Sequence, residues 1–261
     1  MGYTIDEMIN HISNSLVYDV TNLESVSNGI YMGLITRNLS ISELPEELLN
    51  RLTKIGDFSF TKCSNVTLSV LPPNITEIGE GAFSECSNLL ITSIPDSVTT
   101  IGVEAFYGCT NIALSKFPDN LSGYLGYGVF AGCSNITANK LPEGVNELGG
   151  YTFGSCTNLQ LDSLPSGLTY VGFECFYNCP NITISHIPEN ITYIDSAAFY
   201  GCTGLTSMTF NGTPSEGIAS DIFSNCTNLT TINVPWAEGA VSGAPWGATN
   251  ATINYNYTTG G

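Results

Sequence analysis

The sequence contains little positive charge. Its 261 residues include 23 acidic residues but only six lysines and arginines, which gives a formal net charge of −17 at pH 7. Because neutralisation of phosphates supplies most of the affinity of proteins for nucleic acids, this balance argues against a nucleic-acid partner. It favours solubility and disfavours binding to anionic membranes.

Long apolar segments are lacking as well, and no export signal is visible in the sequence. No run of about 18 apolar residues occurs, so the sequence predicts no membrane insertion. The first residues, 1–7, contain neither a basic segment nor an apolar block, so we expect no signal peptide.

Residues suited to catalysis or metal binding are sparse. Only two histidines, His11 and His186, are present, and no Cys-x-x-Cys pair occurs, so we expect no zinc site. No Asp-rich calcium loop is found, and no nucleophile lies beside a base in a recognisable motif. His186 falls within a repeated strand pattern and is interpreted as a solvated side chain. We therefore expect no cofactor, no metal and no enzymatic activity.

The sequence does contain a repeated Phe-x-x-Cys unit. Its cysteines lie 23 or 24 residues apart over eight copies, from Cys63 to Cys226. A sustained period near 23 residues is typical of a solenoid, in which only neighbouring coils can cover each other's apolar side chains. The predicted internal ladder consists of Phe83, Cys86, Phe106, Cys109, Phe130, Cys133, Phe153, Cys156, Phe176, Cys179, Phe199 and Cys202.

Each repeat also predicts local structure. A stretch of the form Asn-Leu-x-Leu-x-x-Leu-Pro, as in residues 158–165, alternates like a short strand that the proline ends. An apolar pair such as Leu168 and Val171 follows, and then a glycine such as Gly172, which we expect to adopt a left-handed turn. One turn of helix would then place phenylalanine and cysteine, three residues apart, on one face.

The cysteine pattern argues against disulfides, although nine cysteines are present. Cysteines stacked on adjacent coils would lie about 4.8 Å apart, whereas a disulfide needs about 3.8 Å between Cβ atoms. We therefore expect buried thiols that act as small hydrophobic residues. Cys175, at a position occupied by alanine in other repeats, is interpreted in the same way.

The repeat divides the chain into three segments. Residues 38–235 are predicted to form the solenoid. Residues 1–37, with a helix predicted from Ile5 to Leu16 and a hairpin signal at Asn28-Gly29, form either an N-terminal cap or a docking segment. Residues 236–261 are predicted to be a C-terminal cap, with a ligand platform as the alternative.

Two outward-facing repeat positions carry candidate binding residues. The position before the second apolar residue of the pair includes Tyr124, Tyr170 and Tyr193, and the position after the ladder phenylalanine includes Tyr107, Tyr177 and Tyr200. Stacked exposed tyrosines can anchor a protein partner or lie beneath a sugar ring. The alternative is that tyrosine is simply a good residue for a strand surface. One extra residue falls within 119–124, where a surface loop is favoured over a binding loop.

The repeat resembles a known family. Residues 95–112, Pro-Asp-Ser-Val-Thr-Thr-Ile-Gly-Val-Glu-Ala-Phe-Tyr-Gly-Cys-Thr-Asn-Ile, are similar to the BspA-type leucine-rich repeat, and the resemblance covers roughly residues 38–235. It implies an α/β leucine-rich-repeat solenoid of about eight 23-residue coils, built from short strands plus one-turn helices, with N- and C-terminal caps.

The same resemblance implies a function. Proteins of this family are typically surface or adhesive molecules, and similar repeats occur in phages of gut bacteria. We therefore predict a non-catalytic recognition or adhesion module for a protein or glycan on a cell surface, located at a cell surface or on a virion. The alternative is a structural or assembly protein that docks through residues 1–37, and a hydrolase in residues 236–261 is a third hypothesis. The ligand and the oligomeric state are left open.

Overall fold

The chain winds into a stack of coils. The computed structural model describes residue 50, residues 52–63, residue 66 and residues 68–258. About nine coils of the 23-residue type are present, one more than the sequence predicted, because residues after Pro235 form a further coil. The cap, helix and hairpin predicted in residues 1–37, and the start of the first coil at Asn38, lie outside the described residues.

The coils contribute short strands that are all parallel. In chain order the strands are β1 Lys54–Ile55, β2 Glu77–Ile78, β3 Thr100–Ile101, β4 Gly123–Leu125, β5 Val145–Leu148, β6 Tyr170–Val171, β7 His186–Ile187, β8 Tyr193–Ile194, β9 Ser207–Phe210, β10 Gly217–Ile218, β11 Thr231–Asn233 and β12 Thr252–Asn254. They form three sheets with the orders β1-β2-β3, β10-β8-β6-β5-β4 and β12-β11-β9-β7. Each neighbour in a sheet comes from the adjacent coil, so the sheets run along the stack.

Most strands lie at the apolar pair that follows the proline of each repeat, and not at the stretch that the proline ends. This stretch, or its equivalent without the proline in β9 and β12, pairs as a strand only in the later coils, in β7, β9, β11 and β12. There, the N–H of Asn211 donates to the Ile187 carbonyl over 3.0 Å. In the earlier coils, proline holds the position of Asn211 and has no N–H to donate. Only one or two bonds remain at that stretch, such as the one from Leu90 N–H to the Leu68 carbonyl at 2.9 Å.

The segment that carries phenylalanine and cysteine is not a helix, and the described part of the chain contains none. Residues two before and two after the phenylalanine are left-handed, as in Tyr151 (φ 56°) and Ser155 (φ 61°) around Phe153. The N–H groups of these three residues donate to carbonyls of the next coil over 2.8, 2.7 and 2.9 Å respectively. Bonds between coils therefore replace bonds within a helix, and the prediction of one-turn helices is wrong.

The glycine after the second strand has a steric role. Gly102 and Gly172 do not adopt the left-handed conformation that the sequence suggested. A Cβ atom on Gly102 would lie 2.5 Å from the backbone nitrogen of Glu80, and one on Gly172 would lie 2.6 Å from the Gly149 carbonyl carbon. The glycine column thus lets the backbones of adjacent coils approach each other closely.

The ladder phenylalanines form one buried column. Ring centroids of successive coils lie between 5.1 Å, for Phe60 and Phe83, and 5.7 Å, for Phe199 and Phe223, and the rings are stacked throughout. Phe117 packs beside this column against Phe130 with a centroid distance of 5.2 Å. Burial of each such side chain contributes about 1.5–3 kcal/mol, so stacking of coils dominates the stability of the fold.

The cysteines run alongside the phenylalanine column. All nine lie in the described part of the chain and are free thiols, and all except Cys63 are buried. The Cys156 thiol donates to the Phe130 carbonyl of the preceding coil with an S···O distance of 3.0 Å, and the same carbonyl accepts the N–H of Cys133 over 3.0 Å. Equivalent thiol bonds recur from Cys86 to Cys226 at 2.8–3.1 Å. The thiols therefore act as hydrogen-bond donors as well as small apolar groups.

Two local features complete the stack. Next to the extra residue in 119–124, the pairing of β4 with β5 shifts between Gly123 and Tyr124 so that Asn146 of β5 is skipped, and Gly123 is left-handed (φ 76°). At the C-terminal end, Trp246 is fully buried and packs with Phe210 and Trp236, and its carbonyl accepts the N–H of Phe223 over 2.9 Å. The hydrogen-bond pattern of the coils thus continues beyond residue 236.

Candidate binding surface

The outward position of the second strands forms a row along the stack. In register, Tyr124 pairs with Glu147, Glu147 with Tyr170, and Tyr170 with Tyr193. The next residue of each strand, such as Leu148, points into the core, so side chains of the row must face outward. The rings of Tyr170 and Tyr193 are stacked with centroids 6.3 Å apart, whereas Tyr124 is separated from them by the coil that carries Glu147.

The tyrosines of this strand row lean over the glycine column. The hydroxyl of Tyr124 lies against Gly149, where a Cβ atom would be only 2.7 Å from it. Where Asp195 replaces the glycine, the Tyr170 hydroxyl instead donates to Asp195 Oδ2 over 3.1 Å. Burial and the Asp195 carboxylate together raise the pKa of Tyr170 to about 12, because both disfavour the phenolate.

A second row lies after the ladder phenylalanines. Tyr177 and Tyr200 are stacked with ring centroids 5.0 Å apart and an angle of 14° between their planes. The Asn225 side-chain amide donates to the Tyr200 hydroxyl. Tyr107 occupies the same repeat position, but Ala131 and Gly154 fill the two coils between it and Tyr177. The structure therefore brings Tyr177 and Tyr200 together and leaves Tyr107 apart.

Three further aromatic residues belong to this surface and were missed from the sequence. Tyr151 packs against Tyr127 and Phe173 with centroid distances of 6.1 Å to each, and against Tyr177 at 6.2 Å. Gly154 makes room for the Tyr151 ring, since a Cβ atom there would lie 2.6 Å from it. Tyr127 and Phe173 share one repeat position in coils that are not adjacent, and Tyr151 lies at the next position in the coil between them, so a search of one position at a time does not reveal the cluster. The signal was the clustering of aromatic residues within 124–200.

We refer to the combined set as the aromatic surface. Its members are Tyr124, Tyr127, Tyr151, Tyr170, Phe173, Tyr177, Tyr193 and Tyr200. Tyr124, Tyr127 and Phe173 have 55%, 44% and 42% of their surface exposed, and the other members are partly buried. A hydrogen bond to Glu174 is the main reason why the pKa of Tyr151 rises to about 12. The surface thus combines open aromatic rings with hydroxyl groups tied to carboxylates.

A separate cleft of about 380 Å³ lies at the proline-ended stretches. Asp162, His186 and Glu189 line it, and the His186 ring is exposed with Nδ1 2.9 Å from the Ser185 hydroxyl.

No group of three or more His, Cys, Asp or Glu side chains in the described residues could hold a metal ion. Nor does this part of the chain contain a helix long and apolar enough to cross a membrane.

The architecture defines the class of the molecule. Parallel coils of about 23 residues, each repeating the same apolar positions, are those of a leucine-rich-repeat solenoid. The profile described as the BspA type leucine rich repeat region matches residues 36–137 and 123–239, with six copies. The chain belongs to this family.

Two solved structures are similar to this chain. A leucine-rich repeat protein from Bacteroides ovatus is 24% identical, with a TM-score of 0.57 over 82% of this chain and 60% of that protein. A leucine rich cell surface protein from Faecalibacterium prausnitzii is 24% identical, with a TM-score of 0.48 over 77% of this chain and 62% of that protein. The chain thus spans about three fifths of the length of these two proteins. No curated protein matches the chain significantly.

Proposed function

We propose that the protein is a non-catalytic recognition module that binds a protein partner through the aromatic surface. The observation that carries this proposal is the exposure of Tyr124, Tyr127 and Phe173 on coils whose interior already has its own aromatic column. Exposed aromatic side chains are enriched among residues that dominate protein interfaces. Membership of a family whose proteins are typically surface or adhesive molecules supports the same role. Adhesion at a bacterial surface or on a phage particle is the setting that we propose.

The packing of the rings favours a protein over a glycan. A sugar ring stacks on the open face of an aromatic side chain. Tyr177 and Tyr200, and likewise Tyr170 and Tyr193, stack on each other, so one face of each ring is covered and less of it is open to a sugar than its edge and hydroxyl group, which in Tyr170 and Tyr200 bond to Asp195 and Asn225. Edges and hydroxyls suit the mixed apolar and hydrogen-bonding contacts of a protein interface. Only the tilted or unstacked rings, Tyr124, Tyr127 and Phe173, support glycan binding as the second candidate.

The test compares how well the wild-type chain, a variant of the aromatic surface and a matched control variant capture a protein partner. One variant carries Tyr124→Ser and Phe173→Ser, and its control carries Val70→Ser and Leu90→Ser, which change two exposed apolar residues elsewhere (70% and 48% exposed). Each purified chain is incubated with envelope extracts of gut bacteria, and captured proteins are identified, purified and tested again for direct binding. A glycan array is probed in parallel.

We expect one purified protein to bind the wild type and the control but not the aromatic-surface variant. Binding that is lost equally in both variants would contradict the assignment of the surface. A glycan signal that depends on Tyr124 and Phe173, without any protein partner, would replace the first candidate with the second.

A further inference from the structure

The charges around the aromatic surface lack counter-ions. Residues 120–258 contain nine aspartates and glutamates but only one lysine. In the part of the chain that the structure describes, every ion pair lies between residues 54 and 119. The coils that carry the aromatic surface are therefore strongly negative, and their carboxylates are not neutralised by neighbouring cations.

Three of these carboxylates lie beside residues of the aromatic surface. Glu147 is exposed and lies in register between two tyrosines of the strand row. Asp195 accepts the Tyr170 hydroxyl at 3.1 Å and its own neighbour's N–H, from Ser196, at 2.7 Å. These donors are neutral, so they hold the carboxylate in place without cancelling its charge.

Glu174 provides the third carboxylate. Its side chain is hydrogen-bonded with Tyr151, yet its Oε2 atom is buried with no partner among the described residues. A buried carboxylate oxygen without a donor costs free energy until a donor reaches it. Because this atom has no exposed surface, a partner's cationic group beside Tyr151 would attract the Glu174 carboxylate through its charge and would donate to Oε2 only after the side chain turned outward.

The open rings have the geometry that a guanidinium group needs. Tyr151 is inclined by 50° to Tyr127 and by 54° to Phe173, so these rings do not cover each other fully. A guanidinium group is attracted to the face of an aromatic ring when it lies within about 6 Å of the ring centroid. It can also donate two parallel hydrogen bonds to a carboxylate. Lysine, a compact and strongly hydrated charge, satisfies only part of this arrangement.

We propose that the partner presents an arginine-rich, extended protein segment to the aromatic surface. This inference rests on the proposed function and specifies the chemistry of the partner. Guanidinium groups stack on Tyr124, Tyr127 and Phe173 and donate to Glu147 and the neighbouring carboxylates. A second copy of this chain is a poor occupant because both copies carry a net charge of −17.

The test uses a synthetic peptide of alternating arginine and serine and the full-length chain. Two peptides of the same length, with lysine or with neutral citrulline at each arginine, serve as comparisons. The surface variant is Glu147→Gln with Tyr124→Ala. Its control, Glu238→Gln with Tyr257→Ala, removes the same charge and an exposed tyrosine near the C-terminal end. Fluorescence anisotropy gives Kd at two salt concentrations, and circular dichroism checks that each variant is folded.

We expect the surface variant to bind the arginine peptide at least about tenfold more weakly than the wild type, and the control to change by less than about twofold. The lysine peptide should bind several times more weakly, and the citrulline peptide should not bind. Equal losses in both variants, or equal binding of arginine and lysine peptides, would reduce the effect to general electrostatic attraction and overturn the proposal. If the partner capture depends on Tyr124 while the arginine peptide does not bind, the proposed function stands and the arginine chemistry is wrong.

Discussion

The first coils and the central coils use the same outward strand position in different ways. In the first coils, Lys54 and Glu77 form an ion pair of 2.8 Å between β1 and β2. Two coils of the central region carry Tyr170 and Tyr193 at this position, stacked at 6.3 Å. A surface ion pair contributes about 0–1 kcal/mol and an aromatic pair about 0.5–1.5 kcal/mol. The fold therefore tolerates either pair, so the residues of this row are free to be determined by the binding of a partner.

The interior positions, in contrast, carry the same residue type from coil to coil. The phenylalanine column continues from Phe60 to Phe223 with stacked rings between all successive members, and the thiol bonds continue beside it. Ring stacking as such does not distinguish the column from the outer rows, since Tyr177 and Tyr200 lie as close together as the phenylalanines. The phenylalanine column differs from the outer rows in being fully buried. The coils on either side of each ring provide this burial, so the ring cannot be exchanged for a charged residue without loss of stability.

The largest effect that we expect is loss of the fold at alkaline pH. Burial raises the pKa of the thiols, to about 12 for Cys86, Cys179 and Cys226, from an ordinary value of 9.0. Above pH 9 the unfolded chain releases these protons while the folded chain retains them, so stability falls as pH rises towards 12. Each thiol contributes a slope of about 1.4 kcal/mol per pH unit, and several act together.

Urea unfolding at a series of pH values, in the presence of a reductant, measures this loss. Return to neutral pH with full recovery of the circular dichroism signal is the control for chemical damage. An unfolding free energy that stayed constant well above pH 9 would show that the thiols are not buried as neutral donors.

Truncation within the phenylalanine column should have the next largest effect. Phe153→Ala leaves a cavity between Phe130 and Phe176 and is expected to cost about 3–5 kcal/mol. Phe173→Ala, on the aromatic surface, removes a residue that is 42% exposed and should cost less than about 1 kcal/mol. Urea unfolding of both variants tests the contrast, and equal losses would mean that the outer aromatic residues also hold the coils together.

The repeat and its buried residues could be predicted from the sequence because every coil must cover its neighbours. Phe106, Phe130 and Phe153 recur every 23 or 24 residues, and the structure places them in one column. The conformation of that segment could not be predicted, since a spacing of three suits a helical turn as well as the alternating turn that is present. Its left-handed positions are often filled by residues such as Glu104 and Tyr151, which give no local signal.

The aromatic surface was only partly visible for a related reason. Tyr170 and Tyr193, or Tyr177 and Tyr200, share a repeat position and are found by aligning the repeats. Tyr151 reaches across positions to touch Phe173 and Tyr177, and such a contact depends on the direction of the side chain. Alignment of repeats identifies columns along the stack but not neighbours between columns.

A smaller effect is expected from the thiol bonds. Cys156→Ala removes the donor to the Phe130 carbonyl and should cost about 1–2 kcal/mol. Cys156→Ser keeps a donor in a similar volume and should cost no more than the alanine variant if the bond matters. Thermal or urea unfolding compares the two variants. A serine variant that is clearly less stable than the alanine variant would show that the cysteine acts only as a small apolar residue.

The smallest effect on stability should come from exchanging the two kinds of outward pair. Tyr170→Lys with Tyr193→Glu places an ion pair like that of Lys54 and Glu77 on the central coils and leaves the net charge unchanged. Because these positions are only partly buried and the phenylalanine column is untouched, the free energy of unfolding should change by less than about 1 kcal/mol. Binding of the captured protein partner should nevertheless fall markedly, since the stacked tyrosines are lost. A variant that unfolds as readily as Phe153→Ala would show that the strand row is structural, and a stable variant with unchanged binding would move the interface away from this row.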